Sequence, residues 1–469
     1  MKRKDVKVME HMSLQEITSA CKGVYHGDLA FLEKEVSGVA IDSRKIEKDF
    51  LFVPIKGARV DGHDFIPQVM EEKGALCTLS EKELTDVSFP YILVSSCEQA
   101  LKDLAEHYRS SLDIKVVGIT GSVGKTSTKE MIASVLCRKY NVLKTEGNFN
   151  NEIGLPLTVF RIQKEHEIAV LEMGISDFGE MHRLAKIAKP DICVITNIGP
   201  CHLEQLHDRA GVLKAKTEVF EHLAENSSVV LNGDDDMLST VKEVKGKAPY
   251  FFGLNPGFDF YADEILDLGL EGTTCTLHSK ENKINTHISI PGTHMVYNAL
   301  AGAAVGTLLG LTPQEIREGI ESLVPVAGRN HFIRTEVFDI IDDCYNANPV
   351  SMKASLDVLS LAKGRKVAIL GDMGELGSQE RSLHREVGIY AAQKKVDVLV
   401  CIGAISAEYM DGAKEVSRSQ TKSYHFSTKE EFLSVFTDIL EKGDTILVKS
   451  SHMMDFPKIV SALSEYEEK

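Results

Sequence analysis

No run of about 18 apolar residues occurs in the 469-residue chain, so no segment is expected to span a bilayer. The longest uncharged apolar stretch, YNALAGAAVGTLLGL at 297–311, is too short and reads as a buried helix. The first residues, MKRKDVKVMEHMS, carry basic charge but no apolar h-region, so no secretory leader is expected. Cysteine pairs are missing as well. The nine cysteines are scattered, odd in number and form no CxxC, which argues against a disulfide framework or a cysteine-bound zinc. Cations are in deficit, 53 Lys and Arg against 69 Asp and Glu. A net charge of −16 disfavours nonspecific binding to nucleic acid or anionic membranes, but a few local cations can still hold an anionic small molecule. There is no internal repeat and no low-complexity tract. A soluble cytoplasmic monomer in a reducing compartment is expected, with neither nucleic acid nor membrane as partner.

What is present is ordinary globular composition, 43% hydrophobic and 26% charged. At roughly 100–200 residues per domain the length suggests three domains. Residues 1–110 hold short apolar runs (SGVAIDS, FLFVPI, PYILVSS) and a helix near 97–111, which read as a small α/β unit. Residues 111–325 begin with a buried strand at 115–119 that turns through glycines into a helix. Further buried strands follow in IAVLEMG, DICVITNIG and SSVVLNGDD, with helices between them, so a mostly parallel sheet is expected. From 258 to 291 the alternation is purely β, an antiparallel addition, and helices near 294–310 and 313–322 follow. The Pro- and Gly-bearing VPVAGRN marks a boundary. Residues 326–469 restart the βα alternation in FDIIDDCYNANP, KVAILGDMG, VDVLVCIG and DTILVKSS, a second doubly wound unit whose strand ends collect ligands.

The strongest chemical signal is GITGSVGKTS. Thr120, Gly121, Ser122, Val123, Gly124, Lys125 and Thr126 stand between a strand and a helix, as a phosphate-cradling loop requires. Ile119 occupies the position of the first Gly of the strict pattern, so the fit is to a GxxGxxGKT variant. Glu172 ends a neighbouring strand, where an acid that organises Mg²⁺ is expected; a helix cap is the plainer alternative. His202 follows the next strand, and a lone His of this kind is more often structural. Lys216 lies on a helix after it, and nothing in its spacing singles it out. The loop TEGNFNNEIGLP, with Asn148, Asn150 and Asn151, is rich in donors and acceptors, though such loops also make plain turns. DDCYNANP adds Asp343, Tyr345, Asn346 and Asn348 at a strand end. Arg329, just past the boundary, could reach across to a nucleotide phosphate, though a single linker Arg is more often a surface charge.

These segments, taken in order with LEMGISDFGEM, TNIGPCHLE, the KAKTE helix, PGTHMVYNALA, AGR, IDSR and DGHDFI, resemble the Mur ligases, the ATP-dependent amide-forming enzymes of peptidoglycan precursor synthesis. The resemblance runs from about residue 37 to about 451. It implies α/β architecture in three domains: an N-terminal UDP-sugar-binding domain, a central P-loop ATPase domain and a C-terminal Rossmann-like domain. YNANP with GNFNNEIGLP is similar to the branch that joins D-alanyl-D-alanine to UDP-N-acetylmuramoyl-tripeptide. Another amino-acid ligase of the superfamily, or more remotely a P-loop switch, is the alternative.

By resemblance, Asp42, Ser43, Arg44, Asp61, Gly62 and His63 belong to the UDP-sugar site. Asn298 corresponds to an adenine contact, and Arg329 and Asp343 to phosphate and ribose contacts. Thr126, Glu172 and His202 correspond to ligands of two Mg²⁺ ions. Lys216 corresponds to the lysine that the family carbamylates with CO₂, and Lys125, Glu172, His202 and Lys216 form the catalytic set. The three asparagines of 148–151, with Tyr345, Asn346 and Asn348, fall on the substrate side. The chain departs from the family pattern at Met295 (often Asn), Cys344 (usually Ser), Val350 (usually Asp), Ser450 (usually Gly) and His452 (usually Arg).

Overall fold

A computed structural model of the chain describes residues 9–467 apart from His11 and Ala58. The residues before Met9, part of the stretch read above as having no apolar leader, lie outside the described residues. Among the described residues no helix is long and apolar enough to cross a membrane, and every cysteine is unpaired.

The architecture is mixed α/β with mostly parallel sheets. The central sheet has nine strands. Seven run parallel, in the spatial order Val142–Lys144, Ile168–Glu172, Lys115–Thr120, Ile192–Ile195, Ser228–Asn232, Tyr250–Gly253, Phe260–Asp267. Thr273–His278 and Lys283–Ile288 then add antiparallel, the β-only stretch expected between 258 and 291. Both faces of the parallel part are covered, which is why these strands read as unbroken apolar runs. Along Lys115–Thr120 the side chains alternate between two cores. Val116 belongs to the core that also holds Leu104, Leu184 and Ala215, whereas Val117 and Ile119 belong to the core that holds Met131, Val135 and Leu300. Helices Lys125–Leu136 and His294–Leu308 lie together on the second side. A Cβ at Gly306 would stand 2.9 Å from Val135 Cγ1, so the AGAAVG run lets the two helices approach closely.

The N-terminal unit is a five-stranded sheet in the order Val24–His26, Tyr91–Leu93, Cys77–Ser80, Phe50–Phe52, Gly38–Ala40, with the first pair antiparallel. Its Leu51, Leu79 and Ile92 share one continuous core with helix Cys97–Ser110 and the central sheet. The C-terminal unit is a six-stranded sheet in the order His331–Arg334, Asp339–Asp342, Thr445–Lys449, Lys366–Gly371, Val398–Ile402, Lys422–Phe426, parallel except for the first pair. Eight strands have no counterpart in the sequence reading, among them the paired two-residue Met12–Ser13 and Glu35–Val36 and the short Val142–Lys144 and Tyr250–Gly253 of the central sheet. Val24–His26, His331–Arg334 and Lys422–Phe426 are edge strands, half-buried or exposed, without a long apolar run. Cys77–Ser80 is buried but only four residues long.

Leu300 is fully buried between the central sheet and helix Lys125–Leu136. Leu300→Ala is expected to lower unfolding free energy by about 2–5 kcal/mol, read from the shift of the urea midpoint, and Leu300→Met by less than about 1.5 kcal/mol.

Candidate functional site

Strand Lys115–Thr120 hydrogen-bonds to Ile168–Glu172 on one side and Ile192–Ile195 on the other, all three parallel. Their carboxyl ends therefore deliver the glycine loop, Glu172 and the 196–202 loop to one edge. Gly121 has φ +147°, and a Cβ there would stand 2.0 Å from Thr196 Oγ1; only glycine fits this turn. Neighbouring loops pin the glycine loop. Ser122 N donates to Asn197 O at 3.0 Å and Val123 N to Asn197 Oδ1 at 3.0 Å, while Thr196 Oγ1 donates to Val123 O at 2.7 Å. Gly124, at φ +80°, starts helix Lys125–Leu136, and no side chain caps that helix. A helix N-terminus left open beside a glycine loop is a ready site for phosphate oxygens. The Lys125 ammonium reaches back over the loop, donating to Gly121 O at 2.8 Å, and burial lowers its pKa.

Glu172 is 2% exposed at the end of its strand. Its Oε1 accepts from Asn150 Nδ2 at 2.8 Å and from Thr126 Oγ1 at 3.3 Å. Its Oε2 is buried with no hydrogen-bond partner. The nearest cation is the buried Lys129 ammonium at 3.8 Å, which donates instead to Thr145 O. A buried carboxylate oxygen without a donor, beside a Thr hydroxyl at a phosphate loop, suits a hard oxygen-seeking cation such as Mg²⁺. His202 has φ +51° and lines the same cleft. Its Nδ1 lies 2.7 Å from Glu375 Oε2 of the C-terminal unit, an ion-pair distance without hydrogen-bond alignment, and the ring holds the Glu375 carboxyl below its usual pKa. Lys216 is 1% exposed and does not line the cleft. Burial, with the charge of Lys125 adding to it, brings its pKa down to about 8. Among the described residues its ammonium makes no hydrogen bond or ion pair.

The C-terminal unit closes over this edge. Arg329 Nη2 donates to Thr126 Oγ1 at 3.2 Å, and its guanidinium stacks 3.9 Å from the Tyr345 ring centroid. Asp343 accepts from Lys449 Nζ at 2.5 Å, from Ser355 Oγ at 2.5 Å and from Asn330 N at 3.2 Å. Lys449 is 2% exposed, and burial lowers its pKa while Asp343 opposes the shift. Asn298, which accepts from Thr128 Oγ1 at 2.9 Å, lines a second cleft with Asp343, Lys449 and Arg329. The glycine loop is the wall shared by both clefts.

Other predicted residues are engaged locally. Asn151 Oδ1 accepts from Gly154 N, Asn348 closes a capping box with Ser351, and Asn346 Oδ1 accepts from Ala347 N. Asn148 is exposed at the rim. Asp42 caps the turn Ser43–Lys45 and pairs with Arg44 at 2.9 Å, which brings its pKa down to about 2. Asp61 caps Gly62–Phe65 and takes a 2.7 Å contact from His63 Nδ1. These two turns follow adjacent parallel strands of the N-terminal sheet, so they share one edge, away from both clefts.

Comparison with known proteins accounts for this layout. Residues 35–109 match the catalytic domain of the Mur ligase family, 119–306 the Mur ligase middle domain, and 328–452 the glutamate ligase domain of Mur ligases. The UDP-N-acetylmuramoyl-tripeptide--D-alanyl-D-alanine ligase of Bacillus subtilis is 38% identical over 435 residues, 92% of this chain and 93% of the relative. The chain belongs to the Mur ligase family. Among solved structures, MurF from Acinetobacter baumannii superposes with a TM-score of 0.90 at 31% identity, over 98% of this chain and 100% of that one. MurF from Thermotoga maritima in complex with ADP does so with 0.80 at 29% identity, over 91% and 97%.

Within this Mur ligase the departures from the family pattern have visible consequences. Met295 Sδ accepts from Asn298 Nδ2 at 3.2 Å, so the sulfur takes over a polar contact. Cys344 is buried with its thiol 2.9 Å from Asp342 Oδ1. Ser450 is fully buried against Gly371, and His452 lines the cleft 5.5 Å from the Tyr345 ring. Lys129, Asn197, Glu375 and Lys449 escaped the sequence reading. Lys129 and Lys449 stand in KTSTKE and LVKSS, but a lysine's burial leaves no mark in one-dimensional spacing.

Removing the charge of Asp343 would leave Lys449 buried without its anion. Asp343→Asn is expected to cost about 3–5 kcal/mol of stability, and the double variant with Lys449→Met should recover much of that loss, as measured by denaturant unfolding of all three chains.

Proposed function

We propose that this Mur ligase uses ATP to join D-alanyl-D-alanine to UDP-N-acetylmuramoyl-tripeptide, acting in the cytoplasm as a monomer. The observation that carries the reading is the pairing of full-length identity to that ligase with one cleft in which the phosphate loop, Glu172 and the C-terminal Arg329 and Tyr345 meet. The terminal carboxylate of the tripeptide attacks the γ-phosphorus. An O–P bond forms, the bond to the β-phosphate oxygen breaks, and ADP leaves from an acyl phosphate. The free amine of D-alanyl-D-alanine then attacks the acyl carbon; an amide forms, inorganic phosphate leaves and the amine proton passes to solvent.

Carboxylate and triphosphate repel each other, so the chain's task is to hold anions together in line. Lys125 and the glycine-loop amides, Thr120 to Thr126, would hold the phosphates, and Arg329 approaches them from the facing wall. Asn298 would contact the adenine and Asp343 the ribose. Asp42, Ser43, Arg44, Asp61, Gly62 and His63 would take the UDP end. Asn148, Asn150, Asn151, Tyr345, Asn346 and Asn348 would line the path of peptide and acceptor, those already capping helices doing so with their remaining polar atoms. Thr126, Glu172, His202 and a carbamylated Lys216 would hold two Mg²⁺ ions, which when bound spread the negative charge of the phosphates and the entering carboxylate.

The state of Lys216 supports a carbamate. A protonated amine has no place beside divalent cations. A lysine with its pKa brought down to about 8 keeps an appreciable neutral fraction near pH 7. Its neutral nitrogen attacks the carbon of CO₂, an N–C bond forms, a proton is released to water, and the cation becomes an anionic oxygen donor.

With the tripeptide nucleotide and ATP, D-alanyl-D-alanine should support rapid ADP formation. L-alanyl-L-alanine should support little, because misdirected methyls and a poorly paired carboxylate cost about 1–3 kcal/mol or more. A coupled ADP assay with product masses checks this, and faster turnover with a single amino acid such as D-glutamate or L-lysine would sink the acceptor assignment. For Lys216, ¹³CO₂ should give a carbamate resonance that Lys216→Arg lacks, and that variant should be as inactive as Lys216→Ala. Because only the neutral amine reacts, the signal at fixed dissolved CO₂ should grow as pH rises through about 8. A fully active Lys216→Arg enzyme would rule the role out.

A further inference from the structure

Away from the clefts, three side chains converge on the outer surface of the central unit. His182 stands on helix Glu180–Ala188, and Glu221 and His222 stand on the turn Glu218–His222, which continues directly from the helix that carries Lys216. One ligand atom of each lies within 4.8 Å of the others. His182 Nδ1 is 2.7 Å from Glu221 Oε2 and 3.2 Å from His222 Nε2, and the two rings meet edge to face with centroids 4.4 Å apart. One proton on His182 Nδ1 can serve only one of these two acceptors. His222 Nε2 also lies 3.4 Å from His182 Nε2, so it faces the His182 ring; a turn of the His222 imidazole would let a cation take one lone pair from each of the three side chains.

The dimensions suit a tetrahedral ion. Bonds of about 2.0–2.1 Å from zinc to nitrogen place two ligand nitrogens roughly 3.3 Å apart, close to the 3.2 Å between His182 Nδ1 and His222 Nε2, while the 2.7 Å from His182 Nδ1 to Glu221 Oε2 would open by about half an ångström. The backbone already holds the ligands in register. The Glu218 carboxylate accepts from Gly179 N at 2.9 Å and from His182 N at 3.2 Å, tying the start of the helix to the turn. The side chains of His182 and Glu221 are 46% and 59% exposed, which gives an ion access and leaves its fourth position to water.

We propose that His182, Glu221 and His222 bind one zinc ion through two imidazole nitrogens and a carboxylate oxygen, clamping helix Glu180–Ala188 to the turn behind Lys216. Imidazole nitrogens select such a borderline ion over Mg²⁺, which prefers oxygen ligands, so this site is chemically distinct from the ATP centre.

The test is calorimetric titration of ZnCl₂ into the full chain, first stripped with chelator and held in excess MgCl₂. Every chain carries Cys137→Ser, because Cys137 is an exposed thiol that could also take zinc. One zinc per chain is expected for the parent. Affinity should be weaker by at least about tenfold in His182→Ala and in His222→Ala, and reduced in Glu221→Gln. Zinc should raise the melting temperature of the parent and not that of the double histidine variant, while all variants keep Mg²⁺-dependent ligase activity in the absence of zinc. Equal zinc uptake by the parent and the double variant, or loss of the parent's uptake in MgCl₂, would overturn the proposal. Unchanged activity shows that the variants are folded, so a lost binding signal reports the ligands themselves.

Discussion

Parallel hydrogen bonding of strand Lys115–Thr120 to both of its neighbours is the interaction on which every other part of the site depends. Parallel pairing makes all three strands end on one side, and the register sets Glu172 opposite Ile119, one residue before the glycine loop begins. On the opposite flank it sets Ile195 beside Thr120, so that Thr196 and Asn197 meet the loop and hold it. A slip of one residue in the ladder of Ile168–Glu172 would turn Glu172 to the other face of the sheet and into an apolar core. The apolar packing on both faces, Val116 on one side and Val117 and Ile119 on the other, is what holds that register.

Around this edge the chain gathers an unusual amount of buried charge for a protein with a net charge of −16. Lys129, Lys216, Lys449 and Glu172 are each no more than 2% exposed. Only some of these charges are matched. Lys449 has Asp343 at 2.5 Å and Glu172 has Lys129 at 3.8 Å with one oxygen left without a hydrogen-bond donor, whereas Lys216 makes no hydrogen bond or ion pair among the described residues. A matched pair consolidates the C-terminal wall. An unmatched charge is costly to bury unless a ligand answers it. Cations on the glycine loop and on the facing wall would then do what the overall charge opposes, holding two anions next to each other.

Long buried strands, the glycine loop and the break near VPVAGRN were legible because each leaves a local mark: an unbroken apolar run, glycine spacing, or Pro and Gly between periodic segments. The edge strands Val24–His26, His331–Arg334 and Lys422–Phe426 were not, because an edge strand carries neither a long run nor strict alternation. Glu172 could be suspected from its place at a strand end. Lys216 was visible only through resemblance to relatives, since a lysine on a helix is by default a solvated one.

By itself the sequence determined the α/β class, the order of the elements and which loops could bind anions, because backbone preference and apolar periodicity act over a few neighbouring residues. Tertiary structure alone decided which of those loops meet, that Arg329 reaches Thr126, that Lys449 answers Asp343, that His202 faces Glu375, and that His182 meets His222. Each of these pairs joins residues tens or hundreds of positions apart. Their distances follow from sheet order and the packing of whole units, which no local pattern encodes.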